Sequence, residues 1–190
     1  MNTVKIKEVQ NLSKEKYLVN KYSIVFEKEI EQIEIQRIVV ERGHGAAILL
    51  FNPESKKIIL VDQFRAPVFI NENTNGNLIE VCAGIIDDNN PISTIIKEVE
   101  EETGYKLKNV EKIYEAYMSP GIMTELIHFF VGFYDSSMKI SEGGGLASEN
   151  EWITVLEVSL SEALDWIKIG KIKDAKTIML LQYAEIHFIK

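Results

Sequence analysis

The chain has 190 residues, enough for one domain or for one domain with an appended arm. Its hydrophobic fraction of 46% is ordinary for a folded protein, and its 29 carboxylates against 21 Lys and Arg give a formal charge of −8, which argues against general nucleic-acid affinity. No apolar run is long enough to span a bilayer and the N-terminus lacks an apolar signal core, so a cytoplasmic protein without a membrane partner is expected.

Segments 21–27 and 33–40 are rich in β-branched and aromatic residues and are joined by a short polar connection, as in a β-ribbon. Two further strands, 46–51 and 57–64, are parted by the turn signal Asn52-Pro53-Glu54-Ser55. A loop over 71–77 precedes an apolar strand at 78–83, which contains the single cysteine. One cysteine excludes an intrachain disulfide, and in this setting Cys82 reads as a small buried residue. His44, His128 and His187 lie too far apart to form a zinc pair.

A helix is expected over about 91–103. Asn90 is a good N-cap, Pro91 suits the first helical position, and Gly104 supplies a left-handed stop. Ile92, Ile95, Ile96, Val99 and Thr103 follow three-and-four spacing and predict one buried stripe. Strands return at 109–118, 126–134 and 152–157. Ser159-Leu160-Ser161-Glu162 offers a capping box for a helix ending near Gly170, and Asp174 caps a last helix on which Ile178, Leu181, Ala184 and Phe188 share a face. This mixture of many strands and few helices points to an α+β or α/β sandwich. Residues 1–42 read as an N-terminal β-strand arm and 43–190 as the main domain; pattern alone leaves open whether the arm packs on a partner subunit or edges the main sheet.

The informative segment is Lys97-Glu98-Val99-Glu100-Glu101-Glu102-Thr103-Gly104. Glu98, Glu101 and Glu102 share one helical neighbourhood. Like charges so spaced oppose an isolated helix by roughly 0.2–0.5 kcal/mol per pair, and carboxylates in a last turn also oppose the macrodipole. A solvated acidic face is one reading. A divalent cation is the other, because hard ions are held by a few carboxylates together with substrate phosphates.

Together with Ala83-Gly84-Ile85-Ile86-Asp87, this helix resembles the Nudix box, a loop–helix–loop signature of Gly, five residues, Glu, seven residues, then Arg-Glu-apolar-any-Glu-Glu-any-Gly-apolar. Three departures stand out: Asn90 replaces the first Glu, Lys97 replaces the Arg, and the interval from Gly84 to Glu98 is one residue short. Beyond the box, the chain is similar to the GDP-mannose hydrolase branch of that superfamily, beside the ADP-ribose pyrophosphatases, where the same shortening occurs. The matching stretches include 42–50, Gln63-Phe64-Arg65, Leu78-Ile79-Glu80, Cys82-Ala83-Gly84, 117–121, 124–130 and Asp174-Ala175-Lys176-Thr177.

The resemblance implies a Nudix fold, an α/β/α sandwich with a mixed β-sheet between helices, and a homodimer formed through exchanged N-terminal arms. It implies metal ligands at Glu98, Glu102, the Ala83 carbonyl and a loop Glu, with Glu151 favoured and Glu149 in reserve. Near the substrate it implies Tyr17, Arg37, Arg65, Ala83, Gly84, Glu125, Asn150 and Lys176. The expected reaction is Mg²⁺-dependent hydrolysis of the pyrophosphate of GDP-mannose to GMP and mannose 1-phosphate, with Mn²⁺ a possible substitute. Glu98, Glu101, Glu102, Glu125 and Glu151 carry the catalytic site, and Glu125, Glu149 and Glu151 remain open as general base. The rivals are an ADP-ribose or other nucleoside diphosphate sugar pyrophosphatase and a Nudix sensor that binds without hydrolysis. An intact Glu98, Glu101 and Glu102 argues against the sensor, since a pure binder gains nothing from their repulsion.

Overall fold

The computed structural model describes residues 3–13, 15, 17–27, 31–72, 74–87, 90–146, 148 and 151–188. They form two compact units, Met1–His44 with Tyr117–Leu126 and Gly45–Ala116 with Ile127–Lys190. In the first unit, strands β1 (Thr3–Ser13), β2 (Leu18–Glu27) and β3 (Gln32–Glu41) make an antiparallel sheet in that order. The patterns at 21–27 and 33–40 anticipate β2 and β3. Strand β1 has no counterpart among the expected elements, because register shifts between Ile6 and Glu8 and between Asn11 and Ser13 break its alternation. Its apolar residues Val4, Ile6, Val9 and Leu12 are all exposed.

The second unit is built around an apolar run. Its elements are β4 (Gly45–Asn52), β5 (Lys57–Phe64), α1 (Ala66–Glu72), β6 (Asn77–Glu80), β7 (Cys82–Ile85) and α2 (Pro91–Glu98), which continues as a π-helical turn over Val99–Thr103. Then come β8 (Glu111–Tyr117), β9 (Leu126–Phe133), β10 (Ile153–Ser159), α3 (Leu160–Lys168) and α4 (Ala175–Phe188). The sheet runs β10-β5-β4-β9-β8, with β6 on β5 and β7 on β4. Strands β4 and β9 are parallel, whereas β5 is antiparallel to β4, β6 and β10, so the sheet is mixed.

Ala46 to Phe51 are all essentially inaccessible, as a strand covered on both faces requires. Ala46, Ile48 and Leu50 join a core with Ile95 and Val99 of the α2 segment. Phe51, on the opposite face, stacks on Phe188 of α4 with ring centroids 5.0 Å apart. Helices therefore cover both faces of the sheet, as an α/β/α sandwich demands.

Four local differences bear on the site. The expected strand at 78–83 is two strands: β6 pairs with β5, β7 pairs with β4 over Gly45–Ile48, and Val81 is the step between them. Strands β4 and β5 pair only near their shared turn, at Leu50–Asn52, so this chain segment fills the gap where they diverge. Helix α1 takes up part of the expected loop and buries none of its residues, so it has no periodic apolar signature. The helix expected over 91–103 is α-helical only to Glu98, and Ile92 lies outside the buried stripe at 49% exposure. On α4 the buried set is Thr177, Leu180, Leu181 and Ala184, rotated slightly from the expected face.

Candidate active site

The acidic helix ends against strand β7. A Cβ built on Gly84 would fall 2.1 Å from Oε1 and 2.2 Å from Cδ of Glu98, so the Glu98 carboxylate lies directly on the glycine. Glu102, one turn on, is 2% exposed, and its Oε2 is buried without a hydrogen-bond partner among the described residues. Burial, reinforced by the charges of Glu98 and Glu151, pushes the Glu102 carboxyl up to about 8, although hydrogen bonds from the Cys82 thiol and the Ala83 backbone partly oppose the shift. Cys82 itself is buried, and loss of solvent pushes its thiol far up, which fits the inert residue expected there.

The glycine-rich loop closes the end of this helix. The N–H groups of Gly144 and Gly145 donate to the carbonyls of Glu102 and Glu101 at 2.9 and 3.1 Å, satisfying acceptors that a helix C-terminus leaves open. Gly104 has φ 76°, and its carbonyl accepts from Ile140 and Ser141. Gly145 has φ 78°, and a Cβ there would meet Glu151 Oε2 at 2.9 Å. That same oxygen accepts from the Leu146 N–H at 3.3 Å, so the loop that caps the helix also holds Glu151. Glu149 and Asn150 lie outside the described residues.

Beside this cluster is a buried ion network. Glu80, at the end of β6, is 1% exposed and receives a forked pair from Arg65, Nε to Oε1 at 2.6 Å and Nη2 to Oε2 at 2.9 Å. Lys176 Nζ also donates to Glu80 Oε2 at 3.1 Å and to Asp174 Oδ1 at 2.7 Å. Desolvation works against the Lys176 charge, but Glu80 and Asp174 outweigh it and hold the amine above its ordinary value. Asp174 Oδ2 accepts from the N–H and the hydroxyl of Thr177, capping α4 as expected. The Thr177 hydroxyl in turn accepts from the N–H of Val81 at 2.8 Å, pinning the step between β6 and β7.

In the first unit, Arg42 joins two of the expected substrate residues. Its Nη1 lies 3.2 Å from Glu125 Oε1, and its guanidinium sits 5.6 Å from the Tyr17 ring centroid. Arg37 is exposed on β3 and donates to the Gln36 carbonyl. Arg42 and Glu80 were not singled out as site residues from the sequence. For Glu80 a signal existed: a lone carboxylate inside the apolar run Leu78–Cys82 must find cations if it is buried.

A NUDIX domain profile matches residues 41–174, more than two thirds of the chain and all of the box. This chain belongs to the Nudix family. A GDP-mannose pyrophosphatase of Yersinia pestis (strain Pestoides F) is 44% identical over 190 residues, covering 98% of this chain and 94% of that relative. Similar proteins of the same description come from Yersinia enterocolitica, 43% identical over 188 residues and 97% of each chain, and Cronobacter sakazakii, 48% identical over 162 residues, 85% of this chain and 84% of the relative.

Two of the three departures from the Nudix box have local explanations. Asn90 caps α2, its Oδ1 accepting from the N–H groups of Ile92 and Ser93 at 3.1 and 3.2 Å. Lys97 reaches Glu101 at 3.2 Å, so a cation one turn earlier still holds that carboxylate. The π-helical turn begins just after Glu98, and such turns recur at functional sites.

Nudix hydrolases generally use divalent metal ions, and the residues here fit one. Among the described residues Glu102 Oε2 is a buried acceptor with no donor, and Glu98 and Glu151 crowd further negative charge around it. Among the described residues no three His, Cys, Asp or Glu side chains form a ready-made cage. A Mg²⁺ site of one or two carboxylates completed by water and phosphate oxygens does not need one. Among the described residues no helix is long and apolar enough to cross a membrane.

Proposed function

We propose that this chain hydrolyses the pyrophosphate of GDP-mannose, releasing GMP and mannose 1-phosphate in a Mg²⁺-dependent reaction. The observation that carries the reading is Glu102: a buried carboxylate with one oxygen unsatisfied among the described residues, on a helix end where two more carboxylates raise its proton affinity. A polypeptide keeps such an arrangement at a cost in stability, and a bound cation removes that cost. Near-full-length similarity to GDP-mannose pyrophosphatases supports this substrate class.

In this reading Glu98, Glu102 and Glu151, with the Ala83 carbonyl, hold the cation, and Gly84 keeps the space that the Glu98 carboxylate occupies. When bound, the cation supplies positive charge to the pyrophosphate oxygens and acidifies a water. Glu101, held by Lys97, adds to the negative field of the helix end. Arg65 and Lys176 orient the phosphates, while Tyr17, Arg37, Glu125 and Asn150 contribute to substrate binding. Glu125, Glu149 and Glu151 are the candidates to take the proton of the attacking water. The protein acts as a homodimer in the cytoplasm; the exposed apolar residues Val4, Ile6, Val9 and Leu12 on β1 support association through the arm.

The test is to incubate the protein with GDP-mannose and, separately, ADP-ribose, with Mg²⁺ or with chelator, and to resolve products by chromatography. Mg²⁺-dependent GMP and mannose 1-phosphate support the proposal. Faster release of AMP from ADP-ribose assigns the substrate to the neighbouring branch, and binding without products supports the sensor.

A further inference from the structure

Glu80 has no part in the chemistry described so far, yet it is almost completely buried and touches two cations that the proposed reaction uses. Buried carboxylates are costly unless paired and hydrogen-bonded. Here the pairing does more than neutralise. Arg65, Lys176, Glu80 and Asp174 bring two positive and two negative charges together, so the two cations do not add a free charge of two to the pocket. What the cluster supplies is geometry.

Arg65 commits its Nε and one Nη2 hydrogen to the Glu80 fork, and the rest of its planar donor set remains outside that pair. Its side chain is 40% exposed against 2% for that of Glu80, so the guanidinium spans from the buried carboxylate to solvent. Arg65 Nη2 and Lys176 Nζ bond the same atom, Glu80 Oε2, at 2.9 and 3.1 Å, which keeps the two nitrogens within about 6 Å of each other. One phosphate can bridge donors at that separation with charge-assisted hydrogen bonds of about 2.8 Å. Asp174 holds Lys176 from the other side, and it is fixed in turn by Thr177 at the start of α4. We propose that Glu80 is a positioning residue: through one carboxylate it locks Arg65 and Lys176 into a paired donor set for a single phosphate of the nucleoside diphosphate sugar. The field of Glu102 also reaches Arg65, which links this donor set to the acidic helix. The inference rests on the nucleotide-sugar reading given above.

The experiment is a set of KM and kcat measurements with GDP-mannose and Mg²⁺ on Glu80→Gln, Arg65→Ala, Lys176→Ala, the Arg65→Ala/Lys176→Ala double variant and that double variant carrying Glu80→Gln. Glutamine preserves size but removes the charge and places an amide donor against two cations. Arg65→Ala and Lys176→Ala are each expected to raise KM by roughly tenfold or more. Glu80→Gln alone should raise KM about tenfold with kcat within about threefold of wild type, and should add less than about twofold in the double variant, as coupled residues do. A merely structural Glu80 would cost as much in the double variant as alone, and that result overturns the proposal. An unchanged KM in Glu80→Gln beside clear effects at Arg65 and Lys176 overturns the positioning role alone. Unchanged KM in both cation variants overturns their substrate assignment and this inference with it. Should Glu80→Gln fail to fold, Arg65→Lys probes the pair from the other side, because lysine keeps the charge and loses the fork. It is expected to raise KM about tenfold, and wild-type KM there overturns the proposal.

Discussion

Gly84→Ala separates packing from chemistry at the acidic helix. Gly84 is absent from the residues with positive φ, so alanine is conformationally acceptable and space alone opposes it. The added Cβ would stand 2.1, 2.2 and 2.5 Å from Oε1, Cδ and Cγ of Glu98. Ordinary contact is nearer 3.5–4.0 Å, so the Glu98 carboxylate must withdraw by more than about 1 Å. Its end is a flexible side chain, so the clash can be relieved without moving backbone, and the stability cost should stay near the low end of the roughly 1–3 kcal/mol seen for overpacking. In a chain of this size that lowers Tm by about 2–4 °C. Misplacing a group that organises the reaction by about 1 Å costs on the order of 100-fold in rate. The expected result is therefore kcat/KM for GDP-mannose down about 100-fold with Tm lowered by only about 2–4 °C. Turnover within about threefold of wild type in a folded Gly84→Ala protein would refute the placement of Glu98 at the reacting centre.

Glu102→Gln should abolish Mg²⁺-dependent turnover while leaving the fold intact, and near-full activity would sink the metal assignment. The same residue predicts a pH dependence in chelator. Its carboxyl is raised from 4.5 to about 8, so its contribution to stability is fully present below about 4.5 and is lost as pH rises through about 8. At about 1.36 kcal/mol per pH unit the upper limit of that loss is near 5 kcal/mol, and Glu102→Gln should flatten the profile in denaturant melts. Gly145→Ala places a Cβ 2.8–2.9 Å from Glu151 at φ 78° and should cost about 1–2 kcal/mol of stability together with activity, measured by melts and rates. Asn90→Ala removes the cap of α2 and should cost about 1 kcal/mol with little direct effect on chemistry. Ile6→Glu and Val9→Glu, both at exposed β1 positions, should convert a dimer to monomers by light scattering, and a monomeric wild type would contradict the arm's proposed role.

Much of the second unit was legible because it obeys simple patterns. The apolar run 46–51 demanded cover on both faces, Asn52-Pro53 announced the β4–β5 turn, and Asn90, Ser159 and Asp174 each cap the helix they were expected to cap. The acidic residues at 98, 101 and 102 stood out because helix electrostatics alone would disfavour them. What was hidden depended on non-local partners. The break at Val81 follows from a change of pairing strand and from the Thr177 hydroxyl, 96 residues away in sequence. The placement of Gly144 and Gly145 depends on carbonyls at the end of the acidic helix, to which their N–H groups donate. Strand β1 left no clear signal because its register shifts break the alternation, and helix α1 left none because its apolar residues, such as Ile70, face solvent. Glu80 was visible as a residue, but its two cations come from positions 65 and 176 and only folding brings them to one oxygen.

The central claim is a metal-assisted hydrolysis organised by the buried end of the acidic helix. Initial rates of GMP release from GDP-mannose, measured for wild type and Glu102→Gln in Mg²⁺ and in chelator, test it most directly. The account predicts steady GMP release by wild type in Mg²⁺ alone, with the chelator and the substitution each reducing it to background. Equal release in chelator, or by Glu102→Gln in Mg²⁺, would contradict it.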